Sequence, residues 1–197
     1  MKRLEALESI RPVLEANVVV TIMGAVAAEL QSLGHRPNWF YLQHAMGLAS
    51  SLGLGIALVR PELRVIVLDG DGSVLMNLGG LTTLARYRPP NLVHVVFDNG
   101  SLLSVGGFPT ATSTGSDIAA MASGAGVPRT AAVDSPDGLR AAVDAAIASD
   151  TLTTIVAKVD AHYEPPRGTA GFVTDLTLLE NRFEFARWLK GVNPMAG

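Results

Sequence analysis

The segment VLDGDGS at residues 67–73 joins a run of apolar residues to two aspartates that lie two positions apart. The run at residues 64–68 is rich in Val and Ile, which is typical of a strand buried on both faces of a parallel sheet. Asp69 and Asp71 follow where such a strand ends. In α/β folds this end of the sheet is where ligands bind, so the segment indicates both the fold and a site.

The rest of the chain repeats this alternation of strand and helix. Five further strands are predicted, at residues 18–22, 39–42, 92–97, 130–133 and 153–159. Helices are predicted between the strands, at residues 24–33, 46–59, 74–86, 117–123 and 136–149. The order favours an α/β fold in three αβα layers, with a mostly parallel sheet of about six strands.

The length of 197 residues, with 48% hydrophobic residues, suits one domain with a full core. We assign that domain to residues 1–163. Residues 164–171, EPPRGTAG, have the composition of a linker, and LTLLENRFEFARWLKG at residues 176–191 has helical apolar spacing. Residues 164–197 are therefore predicted to form a linker and a helical tail that packs on the core or on a partner.

Composition argues against several classes of protein. The 15 Lys and Arg residues against 18 Asp and Glu give a net charge of −3 without a basic block, which disfavours nucleic-acid binding. With no cysteine, this chain can form no disulfide and hold no thiolate zinc site or iron–sulfur cluster, as fits a reducing compartment. The charged start does not resemble a signal peptide, and no apolar stretch suits a membrane span. We expect a cytoplasmic protein that binds neither nucleic acid nor membranes.

One interpretation of the two aspartates is phosphoryl transfer, because a strand followed by Asp-x-Asp-Gly-Ser resembles the first motif of the haloacid dehalogenases. Asp69 would then be the nucleophile and Asp71 the acid/base. In that family a lysine precedes the last acidic motif, whereas here Lys158 follows the acidic strand end at Asp98. The order of the motifs therefore argues against this interpretation.

A second interpretation is a site for a metal ion and a diphosphate. Asp71 and Asn99 are 28 residues apart, which is enough for a helix and a return along a parallel strand, so their loops should meet. Carboxylate and amide oxygens suit Mg²⁺, while Gly72 and Ser73 would offer N–H groups and a hydroxyl to a phosphate at a helix start. Asp69 faces away from Asp71 along an extended strand and is expected to hydrogen-bond locally.

The second interpretation coincides with a resemblance to a known family. Gly70-Asp71-Gly72-Ser73 followed by Asp98-Asn99 resembles the signature of thiamine-diphosphate enzymes. The stretches AMGLASSLGLG at residues 45–55 and MNLGGL at residues 76–81 resemble the diphosphate-binding (PP) domain of sulfopyruvate and phosphonopyruvate decarboxylases. The layout is similar to the β subunit of two-subunit sulfopyruvate decarboxylase over nearly the whole chain.

The resemblance implies roles for individual residues. The Asp71 carboxylate, the Asn99 side chain and the backbone carbonyl of Ser101 match the Mg²⁺ ligands. Met46 matches the apolar residue that holds the cofactor bent, and the carbonyl of His44 matches the acceptor for its aminopyrimidine; a proton-transfer role for His44 stays open. The residues expected to contact thiamine diphosphate are His44, Met46, Gly70, Gly72, Ser73, Asn99, Ser101, Leu102 and Leu103.

The resemblance also implies an activity and a partner. The activity is decarboxylation of a 2-oxo acid, and the glutamate that activates the cofactor comes from a pyrimidine-binding domain. We therefore expect a separate α subunit and a hetero-oligomer. Val105 and Phe108 stand where these decarboxylases have polar residues, which leaves a sulfonate or phosphonate substrate open. Carboligation, as in acetolactate synthase, and a non-catalytic scaffold subunit are the alternatives.

Overall fold

The computed structural model describes residues 1–161 and 177–191. Its strands are β1 (Val18–Thr21), β2 (Trp39–Tyr41), β3 (Val65–Gly70), β4 (Leu92–Asp98), β5 (Ser101–Leu102), β6 (Phe108–Pro109), β7 (Arg129–Val133) and β8 (Thr153–Lys158). Its α-helices are α1 (Arg3–Ala16), α2 (Ala25–Ser32), α3 (Ala49–Val59), α4 (Asp71–Met76), α5 (Gly79–Tyr87), α6 (Ile118–Gly124), α7 (Pro136–Ser149) and α8 (Leu178–Gly191).

Six of the strands form one parallel sheet in the order β2-β1-β3-β4-β8-β7, and β5 and β6 form a separate antiparallel hairpin. All of β4 and nearly all of β3 are buried, because helices cover both faces of the sheet. Helices α1, α2 and α7 pack together in one layer, and α3, α5 and α6 form the other. The predicted αβα fold with a six-stranded sheet is confirmed.

Glycine allows the close packing of α3 on the sheet. A Cβ atom added to Gly53 would lie 2.2 Å from a methyl group of Val67 in β3. Only a residue without a side chain lets the helix approach the sheet at this point. Among the helices of residues 1–161 and 177–191, none combines the length and the apolar character needed to cross a membrane.

The predicted helices differ from the observed ones in three places. Helix α1 was not predicted, although its buried Leu7, Ile10 and Leu14 follow helical spacing. The helix predicted at residues 46–59 begins only at Ala49, since the preceding residues form a turn. The helix predicted at residues 74–86 is two helices, α4 and α5, that are separated at Asn77.

The order of the strands creates an opening beside β1. The chain passes from β1 outward to β2 and then returns to the other side of β1 to form β3. The segments that leave β1 and β3 therefore diverge toward opposite faces of the sheet. Such a switch point, at the carboxyl ends of the strands, is where α/β sheets bind ligands.

Helix α8 closes the edge of the sheet at β2. The Asn181 side chain accepts a hydrogen bond from Tyr41 N–H (3.1 Å) and donates one to the Trp39 carbonyl (2.8 Å). It therefore satisfies backbone groups that an edge strand leaves unpaired. Phe185 packs its ring against Phe40 beside this contact. The predicted linker at residues 164–171 lies outside the described residues, and the domain boundary at residue 163 stays a prediction.

Candidate active site

A cleft lies at the switch point. The predicted site residues that line it are Met46, Gly70, Asp71, Gly72, Ser73, Asn99, Ser101, Leu102 and Leu103. The structure thus brings together all of the predicted site residues except His44. Arg3, the segment at residues 22–26 and Phe97 also line the cleft, and they were not predicted.

Asp71 is the acidic residue of the cleft. It is the first residue of α4, and it is only 3% exposed. Its Oδ2 accepts hydrogen bonds from the hydroxyl groups of Thr110 (2.5 Å) and Thr112 (3.0 Å). Burial raises the pKa of Asp71 above its ordinary value; the two threonine hydrogen bonds oppose this shift, and the charge of Asp98 adds to it.

The charge of Asp98, at the end of β4, is balanced by a lysine. The Asp98 Oδ2 pairs with the ammonium group of Lys158, and its Oδ1 lies 2.7 Å from the Thr112 hydroxyl, whose one hydrogen is shared between Asp98 and Asp71. Within residues 1–161 and 177–191, no Lys, Arg or His side chain pairs with Asp71. Asp71 is therefore a buried carboxylate without a protein counter-charge, beside an open cleft. Sequence reasoning missed Thr110 and Thr112, since hydroxyl residues in a loop carry no distinctive pattern.

The other predicted metal ligands supply neutral oxygens. The Asn99 Oδ1 accepts a hydrogen bond from Ser101 N–H (2.9 Å), and it retains a second lone pair. Ser101 in β5 lies opposite Pro109 in β6, which has no N–H to donate to the Ser101 carbonyl. The part of the chain that the structure describes has no cluster of three His, Asp or Glu side chains able to hold a metal. One carboxylate with neutral oxygens fits a hard dication that takes its remaining ligands from a bound anion.

Two side chains of the α4 region hold the turn that carries Met46. The Ser73 Oγ accepts a hydrogen bond from Gly47 N–H (3.0 Å), and the Asn77 side chain donates one to the Gly47 carbonyl (2.9 Å). Gly47 has φ +83°, and an added Cβ would lie 2.9 Å from the Cβ of Asn77. A glycine is therefore needed here, and Met46 is directed into the cleft.

His44 is not among the residues that line the cleft. It is exposed in the loop after β2, with φ 51° in the left-handed region. This conformation is uncommon for a residue with a side chain. Its predicted roles, as a carbonyl acceptor and in proton transfer, stay predictions.

Asp69 is separated from the cleft, as expected from strand alternation. Its Oδ1 accepts a hydrogen bond from Gly70 N–H (2.9 Å), and its Oδ2 lies 3.4 Å from the Nε2 of His94. Both side chains are buried within the sheet region. A phosphoryl-transfer site with Asp69 as nucleophile is therefore not present in this geometry.

The hairpin of β5 and β6 is packed on the start of α4. A Cβ added to Gly72 would lie 2.3 Å from the Cδ2 of Leu102 and 3.4 Å from the Cγ2 of Thr110. Gly70 differs, since no atom lies within 4 Å of its added Cβ. Gly72 therefore admits the hairpin, whereas Gly70 leaves space in the cleft.

Known proteins are similar to this chain in sequence. A family described as "Thiamine pyrophosphate enzyme, C-terminal TPP binding domain" matches residues 21–157. The sulfopyruvate decarboxylase subunit beta of Methanothermobacter thermautotrophicus is 49% identical over 106 residues, which is 54% of this chain and 57% of that protein. The phosphonopyruvate decarboxylase of Streptomyces hygroscopicus is 44% identical over 140 residues, covering 71% of this chain and 34% of that protein.

The fold also matches solved structures. The crystal structure of benzoylformate decarboxylase from Polynucleobacter necessarius has a TM-score of 0.70 at 20% identity, over 84% of this chain and 34% of that one. This likeness concerns the fold alone. The match to this chain spans 57% or less of the length of each of these relatives.

Proposed function

Because this chain belongs to the thiamine pyrophosphate enzymes, through their C-terminal TPP binding domain, we propose that it is the Mg²⁺- and thiamine-diphosphate-binding subunit of a 2-oxo acid decarboxylase. The names of the relatives quoted above, sulfopyruvate and phosphonopyruvate decarboxylase, support this class of reaction. A cytoplasmic location stays a prediction from the cysteine-free composition.

The observation that carries the proposal is the position of Asp71 and Asn99 in one cleft at the switch point of the sheet. The buried Asp71 carboxylate lacks a cationic partner among the described residues, which favours a bound cation there. The Asn99 side chain and the Ser101 carbonyl supply the neutral oxygens that Mg²⁺ accepts in addition to phosphate oxygens.

Each remaining residue has a defined task in this proposal. Gly70 leaves room for the diphosphate, while Gly72 N–H and the Ser73 hydroxyl hydrogen donate to its oxygens. Met46, fixed through Gly47, supports the organic part of the cofactor. Bound thiamine diphosphate supplies the carbanion-stabilising chemistry that the loss of CO₂ from a 2-oxo acid requires.

We propose that a separate α subunit completes the site with an activating glutamate. No glutamate lines the cleft within the described residues, so the group must come from elsewhere. Exposed apolar side chains lie close to the Gly47 turn, namely Leu48, Met76 and Leu78. Exposed large apolar side chains beside a site are typical of a protein interface, and they support a hetero-oligomer.

The β5–β6 hairpin has exposed apolar residues that bear on which 2-oxo acid is the substrate. Val105 and Phe108, which stand where the resemblance implies polar residues, are 52% and 66% exposed, so these positions present apolar surface. We propose that the substrate carries an apolar group at this position rather than a sulfonate or phosphonate. A screen of 2-oxo acids with the reconstituted complex tests this point.

Calorimetry of the chain with its co-purifying partner tests the proposal as a whole. Thiamine diphosphate should bind in the presence of Mg²⁺, and Asp71→Ala should abolish this binding. The complex should release CO₂ and an aldehyde, whereas a coupled 2-hydroxy ketone would indicate carboligation. If neither the wild type nor the variant binds thiamine diphosphate with the partner present, the chain is a scaffold and the proposal fails.

A further inference from the structure

Arg3 is a buried arginine that lines the cleft, although it lies in the first turn of α1, far from the sequence motifs. It is 5% exposed, and it pairs with Glu29 of α2 in a two-point contact. Its Nε donates to Oε2 (2.8 Å) and its Nη2 donates to Oε1 (2.7 Å). One edge of the guanidinium group is therefore fully engaged by the carboxylate.

The other edge of Arg3 is uncommitted. Its Nη1 makes no hydrogen bond to any residue in the described ranges. Nη1 is also absent from the buried polar atoms that lack a partner, so it retains contact with open space. Arg3 is also one of the residues that line the cleft. Two N–H donors of a permanently charged group are thus available to a ligand.

The surroundings of Arg3 favour an anion. Among the lining residues that the structure describes, Arg3 is the one positively charged side chain. Residues 22–26 line the same cleft, and they include Gly24, with φ +80°, and the first residues of α2. The start of this eight-residue helix directs free backbone N–H groups and the positive end of its dipole toward the same space.

We propose that Arg3 binds an anionic oxygen of the cofactor diphosphate through Nη1, while its Nε and Nη2 stay paired with Glu29. The inference rests on the proposed function, since it requires a diphosphate in the cleft. Asp71 and the bound cation hold the diphosphate from the strand ends, and Arg3 holds it from the layer of α1 and α2. A guanidinium group suits this task because it can hold a carboxylate on one edge and an oxyanion on the other.

A purely structural role is the competing explanation. The ion pair joins α1 to α2, and breaking a buried pair destabilises a protein whatever the ligand. The two roles make different predictions for Glu29. Removal of the Glu29 charge breaks the ion pair between α1 and α2, but the guanidinium group of Arg3 is still present as a donor. A ligand contact therefore depends on Arg3 and not on the charge of Glu29.

The test is calorimetric titration of the full chain, together with its co-purifying partner, with magnesium pyrophosphate and with thiamine diphosphate. The paired variant Arg3→Met/Glu29→Gln removes the guanidinium without leaving an unpaired carboxylate. Its affinity for both ligands should fall about ten- to a hundredfold, as for the loss of a charge-assisted hydrogen bond. Glu29→Gln alone should bind both ligands at least as tightly as the wild type.

The matched control is Arg11→Met/Glu15→Gln, which makes the same changes in an ion pair of α1 that does not line the cleft. Its affinity should equal that of the wild type. Thermal melting of every variant reports whether it is folded. Should the Arg3→Met/Glu29→Gln variant not fold, Arg3→Lys replaces it, because an ammonium group keeps the charge but lacks the second edge; affinity should fall several-fold.

Two results would overturn the proposal. One is a folded Arg3→Met/Glu29→Gln or Arg3→Lys variant with wild-type affinity for pyrophosphate. The other is an equal loss of affinity in Glu29→Gln, which would assign the effect to the tie between α1 and α2. A wild-type complex that binds neither ligand would contradict the proposed function itself, so the two failures are distinguishable.

Discussion

The backbone N–H of Gly47 donates a 3.0 Å hydrogen bond to the side-chain oxygen of Ser73. This contact joins the turn after β2 to the first turn of α4, across 26 residues of chain. Through it, the position of Met46 in the cleft depends on the same helix that begins with Asp71. The contact therefore couples the apolar and the charged parts of the site.

We predict that Ser73→Ala weakens both the fold and the site. Loss of the acceptor leaves the buried Gly47 N–H unpaired, which should cost about 1 to 2 kcal/mol in urea unfolding. Thiamine diphosphate should also bind more weakly, because the turn with Met46 loosens and a hydroxyl donor is lost. Thr82→Ala removes an exposed hydroxyl bonded to the Gly79 carbonyl, and it should change neither measurement appreciably. Unchanged binding by Ser73→Ala would contradict the assigned role.

Asp71→Asn should stabilise the ligand-free protein while it removes Mg²⁺-dependent binding. The pKa of Asp71 is raised in the folded chain, so ionisation costs stability; this cost is absent well below the ordinary pKa and complete above the raised one. The melting temperature of the variant should therefore exceed that of the wild type at neutral pH and converge with it in acid.

Asp134→Asn serves as the control for Asp71→Asn, since Asp134 is exposed. It should leave the melting temperature and the binding unchanged. With Mg²⁺ and thiamine diphosphate at a hundred times the dissociation constant, the wild type should gain about 2.7 kcal/mol and Asp71→Asn nothing. A stabilised Asp71→Asn variant that still shows this gain would disprove metal ligation by Asp71.

Alanine at the two glycines beside Asp71 should have opposite consequences. Gly70→Ala should change the free energy of unfolding by less than about 0.5 kcal/mol, because its φ of −120° suits alanine and its Cβ meets open space. It should nevertheless weaken pyrophosphate binding, since the methyl group enters the cleft. Gly72→Ala should cost about 1 to 3 kcal/mol, because Leu102 and the hairpin must move.

A helix glycine provides the control for these two variants. Gly55 in α3 is exposed, it does not line the cleft, and its added Cβ also meets open space. Gly55→Ala should raise stability by up to about 1 kcal/mol and leave binding unaltered. Wild-type pyrophosphate affinity in Gly70→Ala would show that the diphosphate lies elsewhere.

Asn181→Ala should release α8 from the sheet. The substitution leaves the Tyr41 N–H and the Trp39 carbonyl without partners in a buried place, at a cost of about 2 to 4 kcal/mol. Hydrogen exchange at the Tyr41 amide and cleavage by trypsin at Arg187 should both become faster. Arg182→Ala, at an exposed neighbouring position, is the control. It should change neither the exchange rate of the Tyr41 amide nor the rate of cleavage at Arg187.

All six sheet strands were predicted; four carry apolar runs rich in Val and Ile, whereas residues 39–42 and 130–133 carry a weaker signal. The break between α4 and α5 was not predicted. It coincides with a tertiary contact, in which the Asn77 side chain donates a hydrogen bond to the Gly47 carbonyl 30 residues away. Helix α1 was missed for a different reason. Its charged residues dominate the local sequence, while the spacing of Leu7, Ile10 and Leu14 defines its buried face.

The sequence by itself determined the αβα fold and the meeting of Asp71 with Asn99, because strand periodicity and the length of a crossover follow from local chemistry. The tertiary structure alone decided which charges are balanced. Lys158 pairs with Asp98 and Glu29 pairs with Arg3, whereas Asp71 is left without a cation within the described chain. Such pairings join distant segments at distances of a few ångströms, and no local pattern in the sequence records them.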